Sequence, residues 1–287
     1  MTGFFDINGE VFSEKEAKIS AFDRGFLLGD GVFEVFLVEN GNFVFFENHL
    51  SRLFSSLDRL EFSSVVDRNI IKSRCLNLLS RAQFKRAYMR LMVTRGSGLG
   101  FQGLEEKFTP NLYIYIKELP QRRKSEIKLK LKICHLGFTI RRIKDKSNNY
   151  LESLVALKKA QKEGYQDVLW VNSSDEVTEA SASNIFFIRK KKERVYIETP
   201  ALESGILPGV TRKNLIKSLC EYGIEVTEKI IESKDLIKYD GCFLTSAIKQ
   251  LVPVVSFDKK ISFENDDFLQ IEEIFLDYIR KQEKIGS

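Results

Sequence analysis

The chain has 287 residues, is 43% hydrophobic and 30% charged, and carries 45 lysines and arginines against 40 acids, a net charge of +5. These are the proportions of an ordinary globular protein of one or two domains with a substantial core, and so mild a basic balance excludes the skew of a nucleic-acid binder. Cys75, Cys134, Cys220 and Cys242 are scattered without a C-x-x-C pair, and His49 and His135 are the only histidines, which argues against a disulfide framework, a metal site or a Ser-His-Asp triad and for a cytoplasmic setting.

No apolar run approaches the ~18 residues of a membrane span, and the first residues lack the basic and apolar regions of a signal peptide. In chain order, FEVFLVENGNFVFF (33–46) reads as two β-rich runs turning at Asn40-Gly41. Leu50, Leu53, Phe54 and Leu57 predict a helix over 47–60. Residues 86–96 and 111–119 read as strands. A polar, charged stretch opening at Pro120 is the expected linker, placed at 119–126 between a domain over 1–118 and another over 127–287.

Beyond it, 129–138 reads as a strand and 150–164 as a helix with apolar Leu151, Leu154, Val155 and Leu157 and a stop at Gly164. A strand over 166–172 and a turn at 173–176 lead to a hairpin of NIFFIRK and RVYIETP. Its RKKKER run (189–194) is expected to be a solvated tip. A helix over 209–223, strands IEVTEKI and GCFLTSA, and a C-terminal helix from Phe268 complete the chain. Helices and strands mix without a strict βαβ rhythm, and no repeat appears.

Three stretches have the composition of a site. GILPGVTRKNL (205–215) opens a helix at Val210-Thr211 after two glycines and a proline. Its first amides could meet a phosphate, or the glycines could serve only as caps. Glu179 lies in a run of small residues, EVTEASASNIFFI (176–188). That is compatible with a surface turn residue and with a buried acid aimed at a cation. RIKDKSNNYL (142–151) holds Lys144 and Lys146, and composition alone does not separate a reactive amine from a solubilising one.

Six motifs in order carry a resemblance: DRGFLLGDGVFEV (23–35), HLSRL (49–53), KSNNYL (146–151), VTEASASNIF (177–186), GILPGVTR (205–212) and FLTSAIKQLVPV (243–254). Together they resemble the class IV, fold-type IV pyridoxal-phosphate enzymes, which include branched-chain aminotransferases, D-amino-acid transaminases and 4-amino-4-deoxychorismate lyases. The resemblance implies an α+β fold of two domains, a small N-terminal α/β domain and a larger C-terminal α/β pseudo-barrel, with the active site in the cleft between them. It implies pyridoxal 5′-phosphate as cofactor and a homodimer, with residues 28–33 or 96–101 reaching toward the partner's site.

The resemblance also implies roles. Lys146 is the lysine that takes up the cofactor aldehyde and moves the substrate proton, and Lys144 is a solvated neighbour. Glu179 is the partner of the pyridine nitrogen. Arg52 and the amides of Val210 and Thr211 hold the phosphate, Leu207 supports one ring face, and Tyr150 contacts the ring hydroxyl. Phe33, Val35, Tyr88 and Met89 line the substrate pocket, and Tyr88 with Arg90 receives the substrate carboxylate. His49 braces the helix of Arg52.

Two departures bear on the substrate. Ala247 stands where aminotransferases carry a phosphate-binding threonine, and Ser246 is its substitute. Leu99-Gly100 stands where some lyases carry a further arginine. The expected reaction is amino transfer between a branched-chain or similar apolar amino acid and 2-oxoglutarate. The alternative is a 4-amino-4-deoxychorismate lyase releasing pyruvate and 4-aminobenzoate. Neither nucleic acid nor membrane is an expected partner.

Overall fold

The computed structural model describes residues 3–62, 67–98, 108–121, 128–137, 145–192 and 194–285. They fall into two compact units, Met1–Gln121 with Asp145–Asn149, and Arg122–Lys144 with Tyr150–Ser287. Leu119 to Gln121 of the expected linker lie in the first unit, and the rest of it is outside the described residues.

The first unit runs β1 (Phe4–Ile7), β2 (Glu10–Ser13), α1 (Arg24–Leu28), β3 (Gly31–Glu39), β4 (Asn42–Phe43), α2 (Phe46–Arg59), α3 (Arg68–Ala82), β5 (Ala87–Thr94) and β6 (Asn111–Glu118). Its strands form one antiparallel sheet in the order β2-β1-β6-β5-β3-β4. Asn40 and Gly41 both take positive φ, 52° and 79°, the conformation a tight hairpin turn requires. The second run of that hairpin is shorter than its composition implies. It pairs only at Asn42–Phe43, Phe45 turns left-handed, and α2 begins at Phe46. The reason is aromatic packing: the Phe46 ring stacks on Phe43 and meets Phe36 at 5.1 Å.

Side chains alternate across a strand, so the sheet has two dissimilar faces. Val32, Phe36, Val38, Met89, Leu91 and Ile114 pack under α2 and α3 against Leu50, Leu53, Leu57, Ile71, Cys75 and Leu78. Replacing the fully buried Phe36 with alanine removes its contacts with Phe43, Phe46 and His49. The expected loss is about 3–5 kcal/mol of stability, read from the urea midpoint of the purified variant.

Asp23, 1% exposed, ties the segment before β3 in place. It accepts hydrogen bonds from Thr94, Asn111 and Tyr113 side chains and from the amides of Gly25 and Phe26. That brings Gly29, at φ 68°, so close to Asn149 that a Cβ there would collide with its Oδ1. Only glycine combines that backbone with that approach.

The second unit runs β7 (Leu129–His135), α4 (Leu151–Lys162), β8 (Asp167–Val171), β9 (Val177–Ala180), β10 (Asn184–Lys191), β11 (Arg194–Pro200), α5 (Val210–Glu221), β12 (Val226–Lys229), β13 (Gly241–Ser246), β14 (Gln250–Phe257), β15 (Ile261–Ser262) and α6 (Phe268–Ile285). The sheet order is β12-β11-β10-β13-β14-β7-β8-β9, with β15 on β14. Only Ser181–Ser183 separates β9, at one end of that path, from β10 near the other, so the sheet curls on itself. Leu169, Val171, Val177, Ala180, Ile185, Phe187, Leu244 and Val254 fill one core. On the other face Phe186 stacks on Phe243, which meets Phe268 of α6.

Helix α4 forms where expected but does not bury the expected stripe. Leu151, Leu154 and Val155 are exposed, and α4 sets Ala156 and Ala160 against Val168 and Trp170. Small residues allow the helix a close approach to the sheet, which leaves the leucines outside. No helix among the described residues is long and apolar enough to cross a membrane.

Candidate active site

In the first unit the backbone around Lys146 is stitched to β3. The Phe33 amide donates to the Lys146 carbonyl (2.9 Å), the Asn148 amide donates to Gly31 (3.1 Å), and Val32 bridges Ser147. Asp145 is ion-paired with Arg59 at the end of α2. The amine of half-buried Lys146 lies 4.6 Å from the centroid of the Phe33 ring, and the Arg90 guanidinium lies 3.8 Å from that centroid. Strand register explains the grouping: Phe33 faces Met92, Val35 faces Arg90 and Leu37 faces Tyr88. Phe33, Val35, Tyr88 and Arg90 therefore share one face of the sheet, together with Leu37 and Met92. Met89 does not belong with them. It is fully buried under α2 and α3, because it is one residue out of phase with Tyr88.

Arg52 extends from α2 toward Glu34 on the opposite face of β3. Its Nε and Nη2 donate to the two carboxylate oxygens at 2.7 Å each, and His49 Nδ1 adds a third contact at 2.7 Å. Burial alone would raise the Glu34 pKa, but the charge and hydrogen bonds of Arg52, with those of His49, hold it at about 2. Stability from this depressed carboxyl is fully present above its ordinary value near 4.5 and is lost as the pH falls toward 2. Burial lowers the His49 pKa, so the ring is a neutral donor to Glu34.

The second unit holds the acid and the helix start. Glu179, 6% exposed, lies in β9, so it is buried and not a surface turn residue. Its Oε2 accepts from Asn184 Nδ2 and from the Leu207 amide, both at 3.1 Å. Asn184 also donates to the Leu207 carbonyl at 3.0 Å and lies so close to Gly209 that a Cβ there would collide with its Oδ1. One side chain thus links the acid to the loop that opens α5. Asn184 lies within the motif that carries Glu179, but nothing in its local sequence marks it as a site residue.

Gly209 caps α5 without a side-chain hydrogen bond, and Val210 and Thr211 open the helix, both buried. Across from Asn184 in the sheet, the buried Thr245 hydroxyl has no hydrogen-bond partner among the described residues. Ser246 accepts from the Lys249 amide at 3.3 Å, and Ala247 follows it at the tip of the β13–β14 turn. Tyr150 is the residue before α4. Lys144, Leu99 and Gly100 lie outside the described residues, as does residue 193 in the basic hairpin tip, where Lys190 pairs with Asp267 at 3.0 Å.

Within the second unit, Glu179 offers a fixed carboxylate of the kind a cationic ring nitrogen needs, and the α5 start offers backbone amides of the kind a phosphate needs, with no room for a Cβ at Gly209. Within the first unit, Lys146 offers an amine of the kind an aldehyde needs. These are the kinds of donor that a pyridoxal-phosphate enzyme uses.

The pattern of the Amino-transferase class IV family matches residues 31–257, and the chain belongs to that family. Over 259 residues it is 31% identical to the "Putative branched-chain-amino-acid aminotransferase" of Methanocaldococcus jannaschii, spanning 89% of this chain and 88% of that one. It is 25% identical over 261 residues to the aminodeoxychorismate lyase of Bacillus subtilis, spanning 88% and 86%. The branched-chain aminotransferase of Thermoproteus uzoniensis has the same fold, with a TM-score of 0.87 at 22% identity over 99% of this chain and 97% of that one. The fold is that of the fold-type IV enzymes, and the cofactor is pyridoxal phosphate.

Proposed function

We propose that this enzyme transfers the amino group of a branched-chain or similar apolar amino acid to 2-oxoglutarate. The observation that carries the reading is the face shared by Arg90, Phe33, Val35, Leu37 and Met92. A guanidinium suits a carboxylate, and the residues around it suit an aliphatic side chain. The 31% identity to the Methanocaldococcus protein points the same way.

Bound pyridoxal phosphate supplies the electron sink that lets a bond at the amino-acid Cα break. The chain's residues do the rest. Lys146 Nζ would hold the cofactor, accept the proton lost from the donor's Cα and deliver it to the carbon that carried the cofactor's aldehyde, the second half-reaction running the other way. Glu179 keeps a proton on the ring nitrogen, held in place by Asn184 and the Leu207 amide. Arg52 and the amides of Val210 and Thr211 bind the phosphate, with Ser246 and Ala247 beside it. Leu207 backs the ring and Tyr150 meets its hydroxyl. Tyr88 and Arg90 orient the substrate carboxylate, and Phe33 and Val35 enclose its side chain and exclude water.

A second reading, 4-amino-4-deoxychorismate lyase, is favoured by Ala247 in place of threonine and by the Bacillus relative. Purified protein is incubated with valine and 2-oxoglutarate, and separately with aminodeoxychorismate. Glutamate formed in the first and no 4-aminobenzoate in the second is expected. The reverse outcome assigns the lyase.

The same proposal makes the enzyme a cytoplasmic homodimer. Phe22, Phe26 and Leu27 on the first unit, and Leu151, Leu154 and Val155 on the second, are exposed apolar residues of the kind that self-association covers. All four cysteines are free thiols, which supports a reducing compartment.

A further inference from the structure

We infer that Glu34 is a positioning residue for the cofactor phosphate, acting through Arg52. The inference rests on the reading of Arg52 as a phosphate ligand.

An arginine side chain has many rotamers, and an anion that must first immobilise one binds less tightly. Here the immobilisation is built in. Glu34 takes the Nε and Nη2 edge of Arg52 through two bonds of 2.7 Å, a fork that fixes both the direction and the plane of the guanidinium. The clamp is itself rigid, since the Glu34 side chain is 1% exposed and sits mid-strand in β3. His49, on the same face of α2 three residues before Arg52, holds the Glu34 Oε2 atom at 2.7 Å. As a neutral ring it braces the carboxylate without competing for it as a second cation. The strand, the acid and the helix thus aim Arg52 before any ligand arrives.

Glu34 could act otherwise. A carboxylate beside Arg52 also neutralises it, and its charge opposes an incoming phosphate. A carboxylate that only fills the core would affect neither. The three roles move phosphate recognition in different directions, so cofactor affinity separates them without any measurement of turnover.

Protein freed of cofactor is titrated with pyridoxal phosphate and with pyridoxal, which lacks the phosphate, following the absorbance of the bound cofactor. The ratio of the two dissociation constants reports phosphate recognition alone. For Glu34→Gln, whose amide cannot accept both Arg52 bonds and the His49 bond, the preference for the phosphorylated form is expected to fall about tenfold or more. Glu34→Asp keeps the charge but draws the carboxylate back by one methylene, and the preference is expected to fall here too. An unchanged preference in both variants, or in Glu34→Gln alone, overturns the inference in favour of packing. A preference that rises in Glu34→Gln, or stays at the wild-type value in Glu34→Asp alone, overturns it in favour of charge balance. If Glu34→Gln does not fold, Glu34→Asp carries the test. Arg52→Ala separates the two layers of the argument: wild-type preference in that variant sinks the role of Arg52 itself, whereas preference lost there but kept in both Glu34 variants sinks only the role of Glu34.

Discussion

Lys146→Ala is expected to retain no covalent cofactor and to lose activity by at least about 10²–10⁴-fold, the contribution of a positioned proton-transfer group. Wild-type protein treated with borohydride should gain the mass of the cofactor on a peptide containing Lys146, and the variant should gain none. The variant should fold, because the bonds that hold this segment are backbone bonds to Gly31 and Phe33 and an ion pair from its neighbour Asp145 to Arg59. Its thermal midpoint should stay near the wild-type value. A reduced adduct on some other lysine would refute the assignment.

For Glu179→Gln the expected result is a protein that binds cofactor and substrate but turns over about 10²–10³-fold more slowly, the usual effect of removing one preorganised electrostatic partner. The substitution keeps the shape. Its amide oxygen can still accept from the Leu207 amide, but the negative charge is gone, so nothing favours a proton on the ring nitrogen. The loss should appear in kcat with little change in KM. Steady-state kinetics on the best amino donor would decide it, and a kcat within about threefold of wild type would remove Glu179 from this role.

These two residues also mark how far the sequence could be read. The six ordered motifs identified the family, and through it the cofactor, because six short patterns in one order along a chain rarely coincide by chance. The hairpin at Asn40-Gly41, the helix stop at Gly164 and the start of α5 at Val210 were legible because turns, stops and helix starts are local events. The burial of Glu179 was not: only the placement of β9 in the curled sheet determines that it is buried and not a surface turn residue. Asn184 links nearby Glu179 to Leu207 and Gly209, which lie more than twenty residues further along the chain. Helix α3, from Asp67 as its cap through buried Ile71, Cys75 and Leu78, was not anticipated, because its other face is mixed and its apolar stripe is narrow.

The sequence by itself, through its family motifs, nominated the groups proposed for the chemistry: the lysine, the acid, the arginine and the glycine-entered helix. The tertiary structure alone decided which way side chains face. Strand pairing put Arg90 and Phe33 on one side of the sheet and sent Met89 to the other, and helix packing turned the leucines of α4 outward. Register and packing join segments far apart in the chain, and one residue of slip reverses every side chain on a strand.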